Sequence, residues 1–331
     1  MTQKTGLSSL PNNLKSAGVE LSLIVPVKDE ELAIPPFVLR IVQLLESIDD
    51  PVSRSFEILF VDDGSRDGTL ECIRAANAAD ARVRGLSLSR NFGKEAALSA
   101  GLDRARGRAV VPIDVDLQDP PEVLVEMVAK WREGYDVVYG LREDRANDSL
   151  SKRLTASLYY RTHNLLSREK IPEHAGDFRL LDRRVVDVIR ALPERNRFMK
   201  GLFAWAGFRQ AAVPYRRDTR NFGETKFNYL QLWALAIDGI TSTSTIPLRV
   251  WSYLGGLVAL GALVYSVFIT ARTLISGVDV PGYASLMVAV LFLGGLQLLS
   301  LGVLGEYVGR LMTETKGRPI YLIQEQIGGE D

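Results

Sequence analysis

Two long stretches near the C-terminus, residues 250–271 and 280–305, contain no charged side chain. At about 1.5 Å per residue, a helix over either stretch exceeds the ~30 Å hydrocarbon core of a bilayer. A buried hairpin in a soluble domain is the alternative, but uninterrupted helices of this length are rare there. We therefore predict two transmembrane helices.

The charges around these stretches predict their orientation. The connection at residues 273–281 holds no Lys or Arg, whereas Arg310, Lys316 and Arg318 follow the second stretch. Because basic residues concentrate on the cytoplasmic side of a membrane, the connection is predicted outside and both chain ends inside. The prediction is a multi-pass protein of the inner (plasma) membrane, with its N-terminal domain and both termini in the cytoplasm.

Composition limits the partners of the remaining chain. Its 40 Lys and Arg residues balance 40 Asp and Glu residues, so net charge gives no support for a nucleic-acid partner. The single cysteine, Cys72, cannot form an intrachain disulfide. Residues 1–20 are polar and show no signal-peptide pattern, and we predict a disordered lead-in there.

The next part of the chain alternates between strand patterns and helical patterns. The predicted strands are residues 21–27, 57–61, 83–88, 109–113 and 136–139. The predicted helices lie between them, near residues 33–46, 67–78, 94–105 and 121–132. Such alternation predicts an α/β fold, in which helices cover both faces of a mostly parallel sheet.

Polar clusters follow the first four predicted strands. They are residues 26–30, 62–65 and 90–94, and the acidic run that begins at Asp114. In an open sheet of this kind, ligands bind outside the carboxyl ends of the strands. We therefore expect the four clusters to meet at one edge of the sheet.

The acidic run carries the sharpest chemical signal. Asp114, Asp116 and Gln118 alternate along the chain before two prolines that end the strand and open a helix. Hard oxygen ligands suit Mg²⁺ or Mn²⁺, which share their coordination shell with a substrate diphosphate. A solvated acidic turn is the alternative, since two acidic residues at this spacing recur by chance.

Two other clusters offer groups to a ligand. Asp62 and Asp63 precede a glycine turn, and one carboxylate there is suited to accept a hydrogen bond from a nucleobase or ribose; turn and cap chemistry is the alternative. Asn91, Gly93 and Lys94 begin a predicted helix, where backbone N–H groups and a cation would bind a diphosphate. For these residues the alternative is a surface helix cap.

Taken together, residues 21–226 resemble the family-2 glycosyltransferases of the GT-A fold. The motifs that carry the resemblance are Val-Pro-Val-Lys-Asp-Glu, Val-Asp-Asp-Gly-Ser, Arg-Asn-Phe-Gly-Lys and Asp-Val-Asp-Leu-Gln-Asp-Pro-Pro-Glu, with Gly140-Leu-Arg142, Gly176-Asp-Phe-Arg-Leu-Leu-Asp182 and Gly223-Glu-Thr-Lys226. With two terminal spans, the chain is similar to the polyprenyl-phosphate glycosyltransferases and most similar to their GtrB-type branch. The resemblance implies an α/β fold class: a GT-A-type nucleotide-sugar-binding domain with a mixed, mostly parallel sheet, plus two C-terminal transmembrane helices.

The resemblance also implies an activity and a donor site. The expected reaction is an inverting transfer of a hexose, with glucose from UDP-glucose as the best guess, onto undecaprenyl or another polyprenyl phosphate at the cytoplasmic leaflet. The residues expected to hold the nucleotide sugar are Pro26, Glu30, Asp62 and Lys94. Those expected to hold Mg²⁺ or Mn²⁺ are Asp114, Asp116 and Gln118, and Asp177 joins the two aspartates as a catalytic residue that orients the sugar or the nucleophile.

For the acceptor phosphate we choose Arg142, Arg153 and Arg217, because a guanidinium fork binds phosphate bidentately. Ser157 lies one helical turn beyond Arg153 and would add a hydroxyl. The alternatives are a solvated helix face for Arg153 and a basic loop for Arg217.

Two amphipathic segments and a tail strand complete the predicted organisation. Residues 150–166 and 227–240 place apolar side chains at helical spacing, and the second segment would lie in the membrane interface. Residues 319–323 are predicted as a short strand. The predicted domains are 1–20 (lead-in), 21–226 (GT-A domain), 227–247 (interfacial helix region), 248–312 (two spans) and 313–331 (cytoplasmic tail).

Two other functions remain alternatives. A processive polysaccharide synthase would share the donor site, but the sequence lacks the Gln-x-x-Arg-Trp motif of that group and has too few spans for a channel. A catalytically silent membrane scaffold would not need the acidic run. The sequence leaves open the sugar, the prenyl length, the preferred metal and a homo-oligomer.

Overall fold

The computed structural model describes residues 18–142, 175–195, 197, 199–216, 246–276 and 282–328. Several predictions lie outside the described residues: the amphipathic helices at 150–166 and 227–240, most of the lead-in, and the site candidates Arg153, Ser157 and Arg217.

One mixed sheet forms the centre of the fold. Its strands are β1 (Leu21–Val27), β2 (Phe56–Asp62), β3 (Val83–Leu88), β4 (Ala109–Pro112), β5 (Val137–Arg142), β6 (Ala175–Asp182), β7 (Gln210–Tyr215) and β8 (Ile323–Ile327). Their order across the sheet is β7-β5-β6-β4-β1-β2-β3-β8. The pairs β1–β2, β1–β4, β2–β3 and β5–β7 are parallel, whereas β6 runs antiparallel to β4 and β5, and β8 to β3. The predicted α/β fold with a mixed, mostly parallel sheet is confirmed.

Helices connect the strands close to the predicted positions. They are α1 (Ile34–Ser47), α2 (Thr69–Ala79), α3 (Lys94–Arg104), α4 (Val123–Arg132), α5 (Arg183–Ala191), α6 (Met199–Trp205), α7 (Ile246–Ser276) and α8 (Tyr283–Lys316), with a 3-10 turn at Pro51–Arg54. Prolines occupy the first turn of α1, where a missing N–H leaves no helical hydrogen bond unmade.

The central strands are buried because helices cover both faces of the sheet. Every residue of β2, β3 and β4 is buried, as expected for strands covered on both sides. On one face, α1, α2 and α4 pack against a cluster that includes Phe37, Phe60 and Phe178. On the other face, α3, α5 and α6 pack against a second cluster that includes Leu59 and Phe203. This sandwich holds the carboxyl ends of β1 to β4 side by side.

The tail strand lies further along the chain than predicted. The prediction placed it at residues 319–323, whereas β8 spans Ile323–Ile327 and pairs antiparallel with β3. Its position follows from Ile327, which is buried opposite Gly85; a Cβ on Gly85 would lie only 3.2 Å from Ile327 Cδ1. The prediction was wrong because it placed the strand on the most apolar residues of the tail. The strand instead lies where the side chain of Ile327 fits the space that Gly85 of β3 leaves open.

The two C-terminal helices are long and largely exposed. Helix α7 has 31 residues, α8 has 34, and the two contact each other. Apolar side chains such as Leu257, Phe292 and Leu298 are more than half exposed. By length and composition, one helical stretch of the described chain, Phe292–Lys316, suffices to cross a membrane, and a shorter apolar stretch, Tyr253–Ala262, lies in α7.

Candidate functional site at the carboxyl edge of the sheet

The loops that follow β1 and β2 are joined by hydrogen bonds. The backbone N–H of Asp29 donates to Oγ of Ser65 (2.9 Å), and the N–H of Arg66 donates to the Asp29 carboxylate (2.8 Å). The N–H of Glu30 donates to Oγ1 of Thr69 (2.9 Å). Pro26 precedes these loops in β1, beyond the last residue that pairs with β4, so its missing N–H breaks no ladder bond on that side.

The paired aspartates at the end of β2 are buried and hydrogen-bonded. Asp62 accepts from the backbone N–H of Ser65 (2.9 Å) and from Oγ of Ser87 (3.1 Å), and only 2% of it is exposed. Asp63 accepts from the backbone N–H groups of Phe92 (2.7 Å) and Gly93 (2.9 Å). Burial raises the pKa of the Asp63 carboxyl, against the lowering effect of those two hydrogen bonds. These contacts lock together the loops that follow β2 and β3.

Gly64 allows the close approach of these two loops. Its φ is +68°, and a Cβ at this position would lie 2.7 Å from the carbonyl carbon of Arg90. A non-glycine residue would therefore meet both a left-handed backbone and a steric clash. The polar clusters of β2 and β3 meet at one edge, as the sequence predicts.

Lys94 contacts two other predicted site residues, Asp114 and Asp177. It lies at the start of α3, and its Nζ donates to Oδ1 of Asp114 (2.7 Å) and lies 3.4 Å from Oδ2 of Asp177. Asp177 is in β6, which runs antiparallel to β4 with Val110 opposite Leu181. Asp177 and Asp114 therefore come together just beyond the carboxyl end of β4, on either side of the Lys94 ammonium group.

These two carboxylates set the charge of the lysine. Burial lowers the pKa of Lys94, but the attraction of Asp114 and Asp177 outweighs it, and the pKa lies above the ordinary lysine value. The ammonium group is thus protonated at neutral pH and lies between two acidic side chains that are each about one-third exposed. One ammonium and two carboxylates carry one net negative charge, so this cluster is suited to bind an anionic ligand together with a cation, with Lys94 exchanging a carboxylate for the anion.

The loop between β4 and α4 has a constrained backbone. Leu117 has a φ of +55°, in the left-handed region, which costs a non-glycine residue about 1–2 kcal/mol. The N–H of Gln118 donates to Oδ1 of Asp116 (3.2 Å), and Asp116 is buried. This geometry holds Asp114, Asp116 and Gln118 in one tight turn.

The donor set of this turn fits a hard divalent cation only if other ligands contribute. Within the described residues, no three His, Cys, Asp or Glu side chains form a group that could hold a metal ion. Two carboxylates and one amide, each giving one oxygen, leave half of an octahedral shell to water and to a diphosphate, and Mg²⁺ in proteins usually keeps such ligands.

Arg142, at the end of β5, contacts two residues that the sequence analysis did not select. Its Nε donates to the Tyr215 hydroxyl (3.1 Å), and its Nη2 lies 3.6 Å from Oδ1 of Asp119. The Tyr215 hydroxyl donates to the same Asp119 oxygen (2.7 Å). Asp119 directly follows Gln118, so its place in the acidic run was a signal that could have identified it. Tyr215 had no such signal, since only the pairing of β7 with β5 brings it there.

The structure thus brings together part of the predicted site. Lys94, Asp114 and Asp177 are in contact, and Arg142 is joined to the same acidic run through Asp119. Asp62 lies deeper, beneath the loops that it holds.

Comparisons with known proteins agree with this architecture. The sequence profile of Glycosyl transferase family 2 matches residues 22–190, and that of the GtrB C-terminal hairpin matches residues 246–311. An uncharacterized glycosyltransferase of Synechocystis sp. is 50% identical over 312 residues, covering 94% of this chain and 97% of that protein.

Two other relatives have more specific names. The prophage bactoprenol glucosyl transferase homolog of Escherichia coli is 49% identical, covering 92% of this chain and 99% of its own length. The bactoprenol glucosyl transferase of Shigella phage SfX is 48% identical, with coverage of 93% and 100%. The chain is therefore a glycosyltransferase that belongs to glycosyl transferase family 2 and carries the GtrB C-terminal hairpin.

Proposed function

We propose that this enzyme transfers glucose from UDP-glucose to a polyprenyl phosphate at the cytoplasmic face of a membrane, with inversion at the sugar. The observation that carries the proposal is the meeting of Lys94, Asp114 and Asp177 at the carboxyl edge of the sheet, beside Arg142. Relatives named bactoprenol glucosyl transferase, about as long as this chain, support the choice of sugar and acceptor.

The donor would bind across the loops that follow β1 to β4. Pro26 and Glu30 would contact the nucleoside, and Lys94 the diphosphate, to which its ammonium group offers a charge-assisted hydrogen bond. Asp62 would act on the nucleoside through the loop that it holds by Ser65, since its own carboxylate is buried.

Asp114, Asp116 and Gln118 would hold Mg²⁺ or Mn²⁺ on the donor diphosphate. A cation there supplies charge neutralisation for the departing UDP. The tight turn at Leu117 keeps the three oxygen ligands preorganised, so little ordering is left for the moment of binding. Lys94, beside Asp114, would bind a different part of the same diphosphate.

The acceptor needs positioning more than it needs a base. A phosphate monoester carries close to two negative charges at neutral pH, because its second pKa is about 6. One of its oxygens attacks the anomeric carbon opposite the diphosphate, and the bond from that carbon to the diphosphate breaks as UDP leaves. Arg142 would bind the acceptor phosphate together with Arg153, Ser157 and Arg217, and Asp177 would orient the sugar.

The C-terminal helices would keep the enzyme beside its lipid substrate. We propose that α7 and α8 both span the bilayer, that residues 227–247 lie in the interface, and that both termini are cytoplasmic. A polyprenyl phosphate presents its headgroup at that surface, so a shared membrane raises the effective concentration of enzyme and acceptor.

A donor panel tests the proposal. The full-length chain in detergent would be given undecaprenyl phosphate, Mg²⁺ or Mn²⁺, and one labelled nucleotide sugar at a time, with lipid-extractable label as the readout. We expect one hexose per lipid from UDP-glucose and no transfer in EDTA. Several sugars per lipid would point to a processive synthase, transfer only from another donor would refute glucose, and full activity in EDTA would refute the metal site.

A further inference from the structure

Arg142 is held by a connected set of side chains from three parts of the fold. Tyr215 accepts a hydrogen bond from Nε of Arg142 (3.1 Å) and donates its own proton to Oδ1 of Asp119 (2.7 Å). Asp119 is only 5% exposed and Tyr215 is equally buried. Burial and the neighbouring Asp119 raise the pKa of Tyr215, so the phenol keeps the proton that it donates.

Two glycines leave the space that this arrangement occupies. A Cβ on Gly140 would lie 2.7 Å from Cε1 of Tyr215, and a Cβ on Gly176 would lie 3.2 Å from Nη2 of Arg142. The ring of Tyr215 also packs edge-on against Phe178, with the ring centroids 6.1 Å apart. Both long side chains are therefore confined by the backbones of β5 and β6.

The contacts with Tyr215 and Asp119 determine which nitrogens of the Arg142 guanidinium group are engaged within the protein. Because Tyr215 accepts from Nε and Asp119 lies beside Nη2, the internal contacts use the Nε–Nη2 edge, and the end of the group formed by Nη1 and Nη2 faces the phosphate in our proposal. Asp119 belongs to the turn that carries Asp114, Asp116 and Gln118, so this contact ties the arginine to the proposed metal loop.

We propose that Asp119 and Tyr215 are positioning residues, which hold Arg142 in register with the metal loop so that its terminal nitrogens bind the acceptor phosphate. The proposal rests on the proposed function, since it takes Arg142 as an acceptor ligand. It adds two buried residues that would act through Arg142 and not by contact with a substrate.

The central test is Tyr215→Phe, which keeps the ring and removes both hydrogen bonds. We expect the KM for undecaprenyl phosphate to rise roughly tenfold, because a displaced Arg142 would lose about one charge-assisted hydrogen bond to the acceptor phosphate. The KM for UDP-glucose and the affinity for UDP should change by less than about twofold, within the range of neutral surface changes. Asp119→Asn, which keeps the shape and removes the charge, should shift the same parameter in the same direction.

The chain offers a matched control. Tyr321 donates to Oδ2 of Asp103 at the same distance of 2.7 Å, and burial likewise raises the pKa of Tyr321. Tyr321→Phe and Asp103→Asn therefore remove an equivalent tyrosine–aspartate hydrogen bond away from the site. Neither change should alter the KM for undecaprenyl phosphate.

A double-mutant cycle distinguishes positioning from general stability. If Tyr215 acts through Arg142, Tyr215→Phe should have almost no further effect on the acceptor KM once Arg142→Ala is present. Additive losses would overturn the inference, and so would an unchanged acceptor KM in both Tyr215→Phe and Asp119→Asn. Failure of the proposed function would look different, because the wild-type enzyme itself would then form no glycosylated polyprenyl phosphate.

Discussion

The two edges of the central sheet both concentrate charged residues, but they use them differently. At the edge where β1, β2 and β3 begin, Glu57 accepts from Oγ of Ser22 (2.5 Å), the N–H of Arg106 (2.7 Å) and Nη1 of Arg84 (2.6 Å). Glu57 and Arg84 are almost fully buried. A buried ion pair surrounded by such partners stabilises one arrangement of the chain and leaves no access for a ligand.

At the opposite, carboxyl edge, the ionic groups are accessible to solvent. The side chains of Lys94, Asp114 and Asp177 are 44%, 35% and 34% exposed. Lys94, on α3, contacts Asp114 in the loop after β4 and Asp177 in β6. Charge alone therefore does not identify the site. What separates the two edges is access: a buried and satisfied pair holds the fold together, whereas a half-exposed pair can exchange one of its partners for a substrate.

The largest expected effect is on stability, at the buried edge. Arg84→Met leaves Glu57 without its countercharge, and breaking a buried pair in this way costs about 3–5 kcal/mol in the free energy of unfolding. Chemical denaturation measures this loss, with Arg74→Met as the control because Arg74 forms its ion pair with Glu325 on the surface. Equal stability of the two variants would remove the distinction between the edges.

The next effect is on catalysis, at the carboxyl edge. Asp114→Asn removes one proposed metal ligand and the main partner of Lys94, and turnover should fall about 10²–10³-fold, as when one preorganised electrostatic contact is lost. The free energy of unfolding should change by less than about 0.5 kcal/mol. Asp187→Asn is the control, because Asp187 is 32% exposed and ion-paired with Arg190, but on α5. A large loss of stability in Asp114→Asn would make this residue structural.

The smallest effect separates acceptor binding from donor binding. Arg142→Ala should weaken the binding of polyprenyl phosphate by about 1.5–3 kcal/mol while leaving UDP affinity nearly unchanged. Lysine should rescue only in part, since it keeps the charge but not the planar fork. Arg132→Ala, which breaks a pair with Asp50 on the far side of the domain, should leave both affinities unchanged. Equal losses for UDP and lipid would assign Arg142 to the donor.

Patterns within short segments predicted much of the fold. The strands β1 to β4 and the helices between them were recognisable, because burial on both sides makes parallel strands continuously apolar. The same alternation placed the polar clusters at one edge, where Lys94 and Asp114 do meet. Lys94 and Asp114 follow strands that are consecutive in the chain, β3 and β4, with only α3 between them, and local sequence describes such a unit well.

Pairings between distant segments were harder to predict. The register of β8 depends on Ile327 opposite Gly85, far away in the chain, and Tyr215 reaches Arg142 only through the pairing of β7 with β5. The position of β8 also matters for experiments. Arg84 donates through Nε to the carbonyl of Gly328 (3.0 Å), so a variant without the C-terminal helices must keep the tail to preserve the sheet edge.

The sequence by itself determined the family of the chain, the strand–helix alternation and the chemical character of its polar clusters. These depend on residue type and spacing, which the chain carries locally. The tertiary structure decided which charged groups are partners and which are accessible: Asp62 is buried although it borders the site, Asp114 and Asp177 both contact Lys94, and Asp119 and Tyr215 hold Arg142. Which charged groups contact each other, and which are exposed to solvent, depends on packing between strands that are distant in the sequence. Burial and distance are properties of the folded chain as a whole.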